Sequence, residues 1–474
     1  MGNEVYYPDP EYRGVSRASH KPGLATELLG ADEDNLIPVS VTYDSNPRSG
    51  TITRTVDLGK RGTRKSTIRI SGDTGANNTT NLDKHDISWL CLKQRPPTVA
   101  PVGTIRMCDL FSGCGGISAG VSEACRALEL EMEPVMAWDI LESAREAYRE
   151  NFDPLFIRGD AIEDVVDGEL GSPVTESERE LLDQLGPIDL VVGGPPCQGN
   201  SDLNNHSRRK DAKNLLYLRM TRFIEIVRPR IAIIENVLTV KRAEAGVVQR
   251  TEKFLKSIGY GTDHGALRAM DLGVPQDRRR HFTIATLGKR FSFDLLKGTR
   301  VDESRPVMWG INDLRGLEGT TTFDTSARHQ KQNKERIAWL FGDDWTDEEI
   351  KSSFNAGSSE KPEAYNLPDD RRPPCHQNGH NYPAVYGRMY PNLPAPTITT
   401  GFGSTGQGRF VHPFERRSLT PHEAARVQSF PDFFQLSHEK SRVALQTMIG
   451  NAVPPFLAEH IALQLLSTYH PDGS

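Results

Sequence analysis

The pattern of hydrophobic and polar positions changes near residue 100. Before this point, short runs rich in β-branched residues (LIPVSVTY, GTITRTVDL and STIRISG) are separated by turn residues, as is typical of antiparallel strands. The stretch KQRPPTVAPVG at 93–103 is rich in proline and predicts a linker. Residues 1–100 are therefore predicted to form an N-terminal extension, in which a polar segment precedes a β-rich module.

From residue 104 onward, apolar strand patterns alternate with helical patterns. Strands are predicted at TIRMCDLF, PVMAWD, PIDLVVGG and RIAIIENV, and helices at 117–131, 141–152 and 213–228. This alternation predicts an α/β fold with a doubly wound, mainly parallel sheet that carries helices on both faces. Ligands of such sheets bind at the carboxyl ends of the strands, so the residues after each strand are the candidates for chemistry.

Composition narrows the class of protein. The chain has 474 residues, of which 36% are hydrophobic, enough for a large core. It contains no apolar run of about eighteen residues and no signal-peptide pattern at its start, so we expect a soluble, cytoplasmic protein without a membrane partner, nucleoid-associated if prokaryotic. Six scattered cysteines without a CxxC pair predict free thiols and no metal site.

Basic residues cluster although the net charge is −6. The clusters are SRRK at 207–210, DRRR at 277–280 and two RR pairs at 371–372 and 416–417. A local anionic partner is one interpretation, and solvated surface is the other. The segment 51–70 offers the same choice between a phosphate-facing strip and an exposed sheet face, and we favour the exposed face. Its basic residues are Arg54, Lys60, Arg61, Arg64, Lys65 and Arg69.

Three successive strand ends indicate a nucleoside pocket. The turn DLFSGCGG contains Gly113 and Gly115, which let the backbone turn sharply and approach a ligand before a helix begins. The second strand ends at Asp139, placed to bind ribose hydroxyls, and the third is followed by Asp160, placed to accept from an adenine amino group. Either carboxylate could instead cap a helix. Together the three features predict a nucleoside site.

The next two strand ends carry a thiol and a carboxylate. Cys197 lies in GGPPCQGNS, where two glycines and two prolines restrict the backbone, and Glu235 ends the strand IIENV. A carboxylate at a buried strand end either caps backbone amides or holds a ligand. A nucleophile and an acid facing one pocket predict covalent catalysis.

Six motifs in this order resemble the DNA cytosine-5 methyltransferase family. They are DLFSGCGG, GGPPCQGNS, ENV, QDRRR at 276–280, RRSLTPHEAARVQSFP at 416–431 and GNAVPP at 450–455. The resemblance covers about residues 104–288 and 415–474. It implies a Rossmann-like fold that binds S-adenosylmethionine and releases S-adenosylhomocysteine. It also implies that the acceptor is a flipped cytosine of double-stranded DNA, attacked through a covalent cysteine adduct.

The resemblance also implies a role for each matching residue. The catalytic residues are Cys197 as nucleophile, Glu235 on the cytosine edge, and Arg278 and Arg280. The cofactor-binding residues are Phe111, Gly113, Gly115, Asp139, Asp160, Ala161 and Asn451. The residues that contact the target nucleotide or its loop are Ser201, Gln198 and Asn236. The chain departs from the family at Asn200, where phenylalanine is usual, and at Asp139, where glutamate is frequent.

The domain prediction follows from these motifs. Residues 101–288 are predicted to form the catalytic domain, 289–414 a target-recognition domain with a glycine-rich end at 394–410, and 415–474 a segment that returns to the catalytic domain. We expect a monomer whose partners are DNA and a cognate restriction endonuclease. Two alternatives are a methyltransferase of transfer RNA and a non-catalytic DNA-binding regulator. The DNA sequence recognised is not predicted.

Overall fold

The computed structural model describes residues 39–71, 79–196, 216–242, 246–288, 290–317, 319–342, 365–377 and 385–468, without the side chains of 241, 242 and 375. Its strands are β1 Ser40–Asn46, β2 Thr51–Asp57, β3 Thr63–Arg69, β4 Thr104–Leu110, β5 Glu131–Trp138, β6 Phe156–Arg158, β7 Leu190–Gly193, β8 Ile231–Asn236, β9 Tyr260–Arg268, β10 Gln276–Asp277, β11 Arg279–Leu287 and β12 Ala395–Pro396. Its helices are α1 Asn81–Cys91, α2 Gly116–Ala127, α3 Glu142–Phe152, α4 Glu176–Leu185, α5 Leu216–Val227, α6 Val247–Ser257, α7 Val307–Ile311, α8 Lys331–Trp339, α9 Pro421–Val427, α10 Arg442–Asn451 and α11 Pro455–Leu466.

Seven strands form the central sheet in the order β6-β5-β4-β7-β8-β11-β9. The pairs from β6 to β8 are parallel, whereas β11 is antiparallel to both β8 and β9. The predicted α/β fold with a mainly parallel sheet is confirmed. One boundary differs, because the helix predicted at 117–131 ends at Ala127 and β5 begins at Glu131. Pairing of Thr104 with Glu131 extends β5 toward its N-terminus at the expense of the helix.

Helices cover both faces of this sheet. One face packs against α4, α5 and α6 through a cluster that includes Leu110, Val191 and Phe223. The opposite face packs against α2 and α11. These two helices touch at Gly120, where a Cβ atom would come within 2.5 Å of the Ala458 Cβ atom. The C-terminal helix therefore packs on the helix that follows the first strand of the sheet.

The N-terminal module is a three-stranded antiparallel sheet, β1-β2-β3, followed by α1. Alternation along β2 buries Ile52, Arg54 and Val56 on one face. The expectation of an exposed basic face is therefore wrong for Arg54, whose side chain is 0% exposed. Its charge is tolerated there because it pairs with Glu123 of α2 and Glu459 of α11. The basic side chains that do lie on the surface are those of Lys60, Arg61, Lys65 and Arg69.

A second group of buried charges ties the module to the chain after β11. Asp86 on α1 is fully buried and forms ion pairs with the guanidinium groups of Arg300 and Arg305, each at 2.8 Å. Burial raises the pKa of the Asp86 carboxyl, but the two guanidinium groups outweigh it and hold the pKa far below its usual value. The module therefore shares its core with the catalytic fold.

Within the described residues, no helix is both long and apolar enough to cross a membrane.

Candidate active site

Register places four strand ends side by side. Leu110, the last residue of β4, is the partner of Trp138 at the end of β5 and of Gly193 at the end of β7. Trp138 in turn pairs with Arg158, the last residue of β6. The turns that follow these strands consequently lie at one edge of the sheet. This is the edge at which parallel α/β sheets bind ligands.

The turn after β4 is built for close approach. Phe111, Gly113 and Gly115 all adopt positive φ angles, of 54°, 53° and 96°, a conformation that favours glycine. A Cβ atom on Gly113 would meet no atom within 4 Å, so open space lies beside this residue. Gly115, in contrast, is packed, since a Cβ atom there would come within 2.5 Å of the Phe152 ring. The turn is therefore packed against Phe152 at Gly115 and open at Gly113.

Asp139 fixes the turn from the neighbouring strand. Its Oδ2 accepts from the Gly113 amide at 2.8 Å and its Oδ1 from the Leu141 amide at 2.9 Å. Burial raises the pKa of the Asp139 carboxyl, although both amides and Arg145 act in the opposite direction. Asp139 is not the N-cap of α3, which is Leu141. The structure therefore joins Asp139 and Gly113, and the role of Asp139 in ribose binding stays a prediction.

Asp160 and Ala161 lie at the next strand end and are exposed to solvent. The Asp160 carboxylate pairs with Arg158 at 2.5 Å, and its main-chain oxygen accepts from the Trp138 indole at 2.8 Å. Burial raises the pKa of the Asp160 carboxyl, but the hydrogen bond and charge of Arg158 oppose it, and the pKa is lowered overall. Asn451 ends α10 and is also exposed. Its neighbour Ala452 packs beside Gly116, at the start of α2.

Glu235 and Arg280 form the charged pair of the site. The Arg280 Nε atom lies 2.9 Å from Glu235 Oε1, and Glu235 is only 8% exposed. Burial raises the pKa of the Glu235 carboxyl, while the charges of Arg280 and Arg278 oppose that rise. A carboxyl with a raised pKa gives up its proton less readily, so it is suited to sharing one with a ligand.

The cysteine loop enters the site beside this pair. Gly193 has no room for a side chain, since a Cβ atom would come within 2.5 Å of the Leu110 carbonyl oxygen, and one on Gly194 would lie 3.0 Å from Glu235 Oε2. Asn236 donates from Nδ2 to the Pro195 carbonyl oxygen at 3.0 Å. Asn236 therefore holds the loop just before its cysteine. Cys197, Gln198 and Ser201 lie outside the described residues.

Arg278 has a different environment from Arg280. It is fully buried and donates to the carbonyl oxygens of Ile398 at 2.9 Å and Gly450 at 3.1 Å. Burial lowers the pKa of its guanidinium, and the Arg280 charge adds to that effect. No described carboxylate lies within salt-bridge distance of Arg278. The catalytic role predicted for Arg278 stays a prediction, and its contacts support a positioning role.

Two glutamines that the sequence interpretation left without a role complete this junction. Gln276 accepts from the Ile398 amide at 2.8 Å and donates to the Gln428 side chain at 2.8 Å. Gln428 donates to the Ile449 carbonyl oxygen at 2.7 Å. Three of the six motifs thus meet here. Gln276 and Gln428 both lie within the motifs given above, and this was the one sequence signal for their importance. Local sequence does not indicate a partner over a hundred residues away.

The four cysteines whose side chains are described are poor candidates for a nucleophile. Burial raises the pKa of the Cys91 thiol to about 11 and that of Cys114 to about 12. Burial also raises the thiol pKa of Cys108 and Cys125, strongly in both. A raised thiol pKa leaves little thiolate near neutral pH. These residues therefore do not compete with Cys197 for the nucleophile's role.

A glycine-rich turn after β4, an acid that follows β5 and a site at one sheet edge are features of a Rossmann-like α/β fold. The C-5 cytosine-specific DNA methylase family matches residues 105–467 of the chain. Type II methyltransferase M1.BsuMI of Bacillus subtilis (strain 168) is 43% identical over 383 residues, which cover 81% of this chain and 85% of that protein. Type II methylase M.HgiDII of Herpetosiphon aurantiacus is 30% identical over 362 residues, covering 75% and 93%.

A solved structure shares the fold. It is that of a prophage-encoded protein of E. coli, named as a candidate DNA modification methyltransferase, with a TM-score of 0.52, 24% identity and coverage of 76% of this chain and 98% of that one. The chain belongs to the C-5 cytosine-specific DNA methylase family. It is a DNA (cytosine-5)-methyltransferase, and enzymes of this family use S-adenosylmethionine.

Proposed function

We propose that the chain methylates carbon 5 of a flipped cytosine in duplex DNA through a covalent adduct with Cys197. The observation that carries the proposal is the buried Glu235–Arg280 pair, which lies against the start of the cysteine loop at Gly194. Carbon 5 of cytosine is a weak nucleophile, so a thiolate must first add to carbon 6. Extrusion of the base from the duplex costs about a few kcal/mol, which phosphate contacts from Ser201 and from exposed basic residues such as Arg279 and Arg416 offset.

Glu235 and Arg280 assist this addition at two different positions of the cytosine ring. As the Cys197 thiolate bonds to carbon 6, electron density moves toward ring N3, where a proton shared with Glu235 stabilises it. Arg280 holds the ring oxygen and keeps Glu235 oriented through their 2.9 Å contact. Carbon 5 would then take the methyl group as the methyl–sulfur bond of the bound donor breaks, which would leave S-adenosylhomocysteine. Loss of the carbon 5 proton to a base and departure of the thiolate restore the aromatic ring as 5-methylcytosine.

The strand-end turns fit the methyl donor. S-adenosylmethionine supplies an electrophilic methyl group when bound. The open space beside Gly113 suits close contact with a ligand, and Asp139 holds the Gly113 amide in place. Phe111 and Gly115 belong to the same turn. Asp160, Ala161 and Asn451 are exposed, and their proposed role is to contact the adenosine group.

Trapping with 5-fluorocytosine tests the covalent step, because fluorine cannot leave as a proton. In the presence of S-adenosylmethionine, DNA carrying 5-fluorocytosine at a site shown by bisulfite sequencing to be methylated should give a protein–DNA complex that survives denaturing electrophoresis. Cys197→Ala should give none, while the matched control Cys91→Ala should trap like the wild type. Glu235→Gln should slow trapping by about 10²-fold or more.

A link that maps to any other cysteine would overturn the assignment of Cys197. The same reaction carried out on transfer RNA tests the alternative that the substrate is RNA. Absence of turnover on both DNA and transfer RNA would favour the non-catalytic regulator.

We also propose that the enzyme acts as a monomer beside a cognate restriction endonuclease, a role supported by the type II names of its relatives. Light scattering of the free enzyme and of its DNA complex tests the monomer.

A further inference from the structure

A cavity of about 220 Å³ lies between the linker at 95–98 and α2. Its walls also include Trp89 of α1, Phe152 of α3 and Phe433. None of the residues that line it belongs to the proposed cofactor or cytosine site. We refer to it as the linker cavity. Its size is sufficient for a small organic molecule.

Two buried side chains on the wall of the linker cavity carry hydrogen-bond donors. Trp89 is 1% exposed, and its indole Nε1 has no hydrogen-bond partner among these residues. Arg126 donates to Glu123 from Nε at 2.9 Å and from Nη2 at 2.6 Å. Its Nη1 atom makes no hydrogen bond within the described part of the chain. The Trp89 Nε1 atom is itself buried and the Arg126 charge is paired with Glu123, so the charge available to a ligand is that of Arg95 at the rim.

The rim carries a positive charge. The Arg95 guanidinium donates to Ser122 Oγ at 3.1 Å and to the Asn151 carbonyl oxygen at 3.0 Å. It lies 4.7 Å from the centre of the Phe152 ring and 5.5 Å from that of Phe433. No carboxylate of the described residues lies within salt-bridge distance of it. A cation above two phenyl rings matches a ligand with an anionic head and an apolar body.

One residue that lines the linker cavity also packs against the glycine-rich turn after β4. Phe152 lines the cavity, and its Cε2 atom packs against Gly115, where a Cβ atom would be 2.5 Å away. Tyr148 packs on the same glycine and stacks against Phe152 at 4.8 Å. A ligand that draws Arg95 away from Phe152 would change the packing beneath Gly115. A single side chain, that of Phe152, therefore connects the linker cavity to the glycine-rich turn after β4.

We propose that the linker cavity is a second ligand site, which takes a small organic carboxylate with an apolar body and, when occupied, changes the affinity of the enzyme for S-adenosylmethionine. The carboxylate is held by Arg95, which turns away from Phe152 to meet it, and the apolar body packs against Phe152 and Phe433. The change in cofactor affinity rests on the proposed function, whereas binding in the cavity does not.

Phenylacetate is the probe for binding, with phenylacetamide as its uncharged control. Titration of the full-length protein, followed by tryptophan fluorescence and ligand-observed NMR, should give saturable binding of phenylacetate with a Kd on the order of 1 mM. Phenylacetamide should bind about tenfold more weakly. Ser122→Leu fills the cavity and should abolish binding, while Ser122→Ala leaves it open and should retain binding within about threefold. Arg95→Met should weaken phenylacetate about tenfold.

Each result bears on one part of the proposal. Absence of saturable binding, or equal binding by Ser122→Leu with an unchanged melting temperature, would overturn the site. Binding that leaves the Kd for S-adenosylmethionine unchanged within twofold would overturn the coupling, for which a change of about fivefold is expected. A protein that binds phenylacetate in the cavity but never binds S-adenosylmethionine would refute the proposed function and leave the second site standing.

Discussion

Replacing Arg54 with methionine should lower the free energy of unfolding by about 3–5 kcal/mol. The Arg54 side chain is 0% exposed and bonds to Glu459 at 2.5 Å, Glu123 at 2.9 Å and Ser66 at 3.1 Å. After the substitution Glu123 still pairs with Arg126 at 2.6 Å. Among the described residues, Glu459 then keeps Arg300 alone as an ion-pair partner, at 3.9 Å. The cost is therefore that of one buried carboxylate left without a close partner.

The pH dependence of this loss follows from Glu459. Burial already raises the pKa of its carboxyl, and Arg300 and Arg54 oppose that rise. Without Arg54 the folded-state pKa rises further above the unfolded value, so the penalty is full above the folded-state pKa. It shrinks as the pH falls through that pKa, because the folded state then takes up the proton. The deficit should therefore be smaller at pH 5 than at pH 8.

Urea unfolding of the full chain measures the effect. Arg64→Met is the matched control on β3, since Arg64 is 28% exposed and lies 3.7 Å from Glu129; it should cost less than about 1 kcal/mol. Adding Glu459→Gln to Arg54→Met removes the stranded charge and should recover at least about 1 kcal/mol. A loss for Arg54→Met no larger than that for Arg64→Met would refute this reasoning, as would a double variant without any recovery.

Three further predictions concern other contacts. Gly120→Ala should lower stability by about 1–3 kcal/mol, since its Cβ atom would clash with Ala458; an unchanged melting temperature would contradict this packing. His422 bridges Asp324 and Asp432 at 3.0 Å each, and although burial lowers the pKa of His422, the two aspartates raise it overall. Its stabilising contribution should be complete below about pH 6.5 and disappear as the pH rises through the raised pKa, a dependence that His422→Gln should remove from the unfolding profile. Arg278→Met should cost about 3 kcal/mol or more, whereas Arg279→Met on the exposed neighbouring position should cost less than about 0.5 kcal/mol; equal losses in thermal melts would argue against Arg278 as a buried anchor.

The sequence determined the features that depend on neighbouring residues. Apolar runs and turn residues were enough to predict the parallel strands, because strand period and turn chemistry are local properties. The glycine turn at 113–116 and the acid at Asp139 were predicted in the same way, and the structure joins them through one hydrogen bond. Motif order was enough to indicate the family, which the comparisons confirm.

Tertiary structure alone decided where the buried charges lie. The alternation of β2 puts Arg54 on the face of Ile52 and Val56, but a charge is stable there only because carboxylates arrive from positions 69 and 405 residues away. Arg278 likewise takes its acceptors from 120 and 172 residues away. A local sequence pattern does not indicate such distant partners. Because desolvation of an unpaired charge is unfavourable, a buried charge is stable only when these partners are present. The sequence therefore indicated the chemistry of the site, while long-range packing decided which arginine faces Glu235 and which anchors the fold.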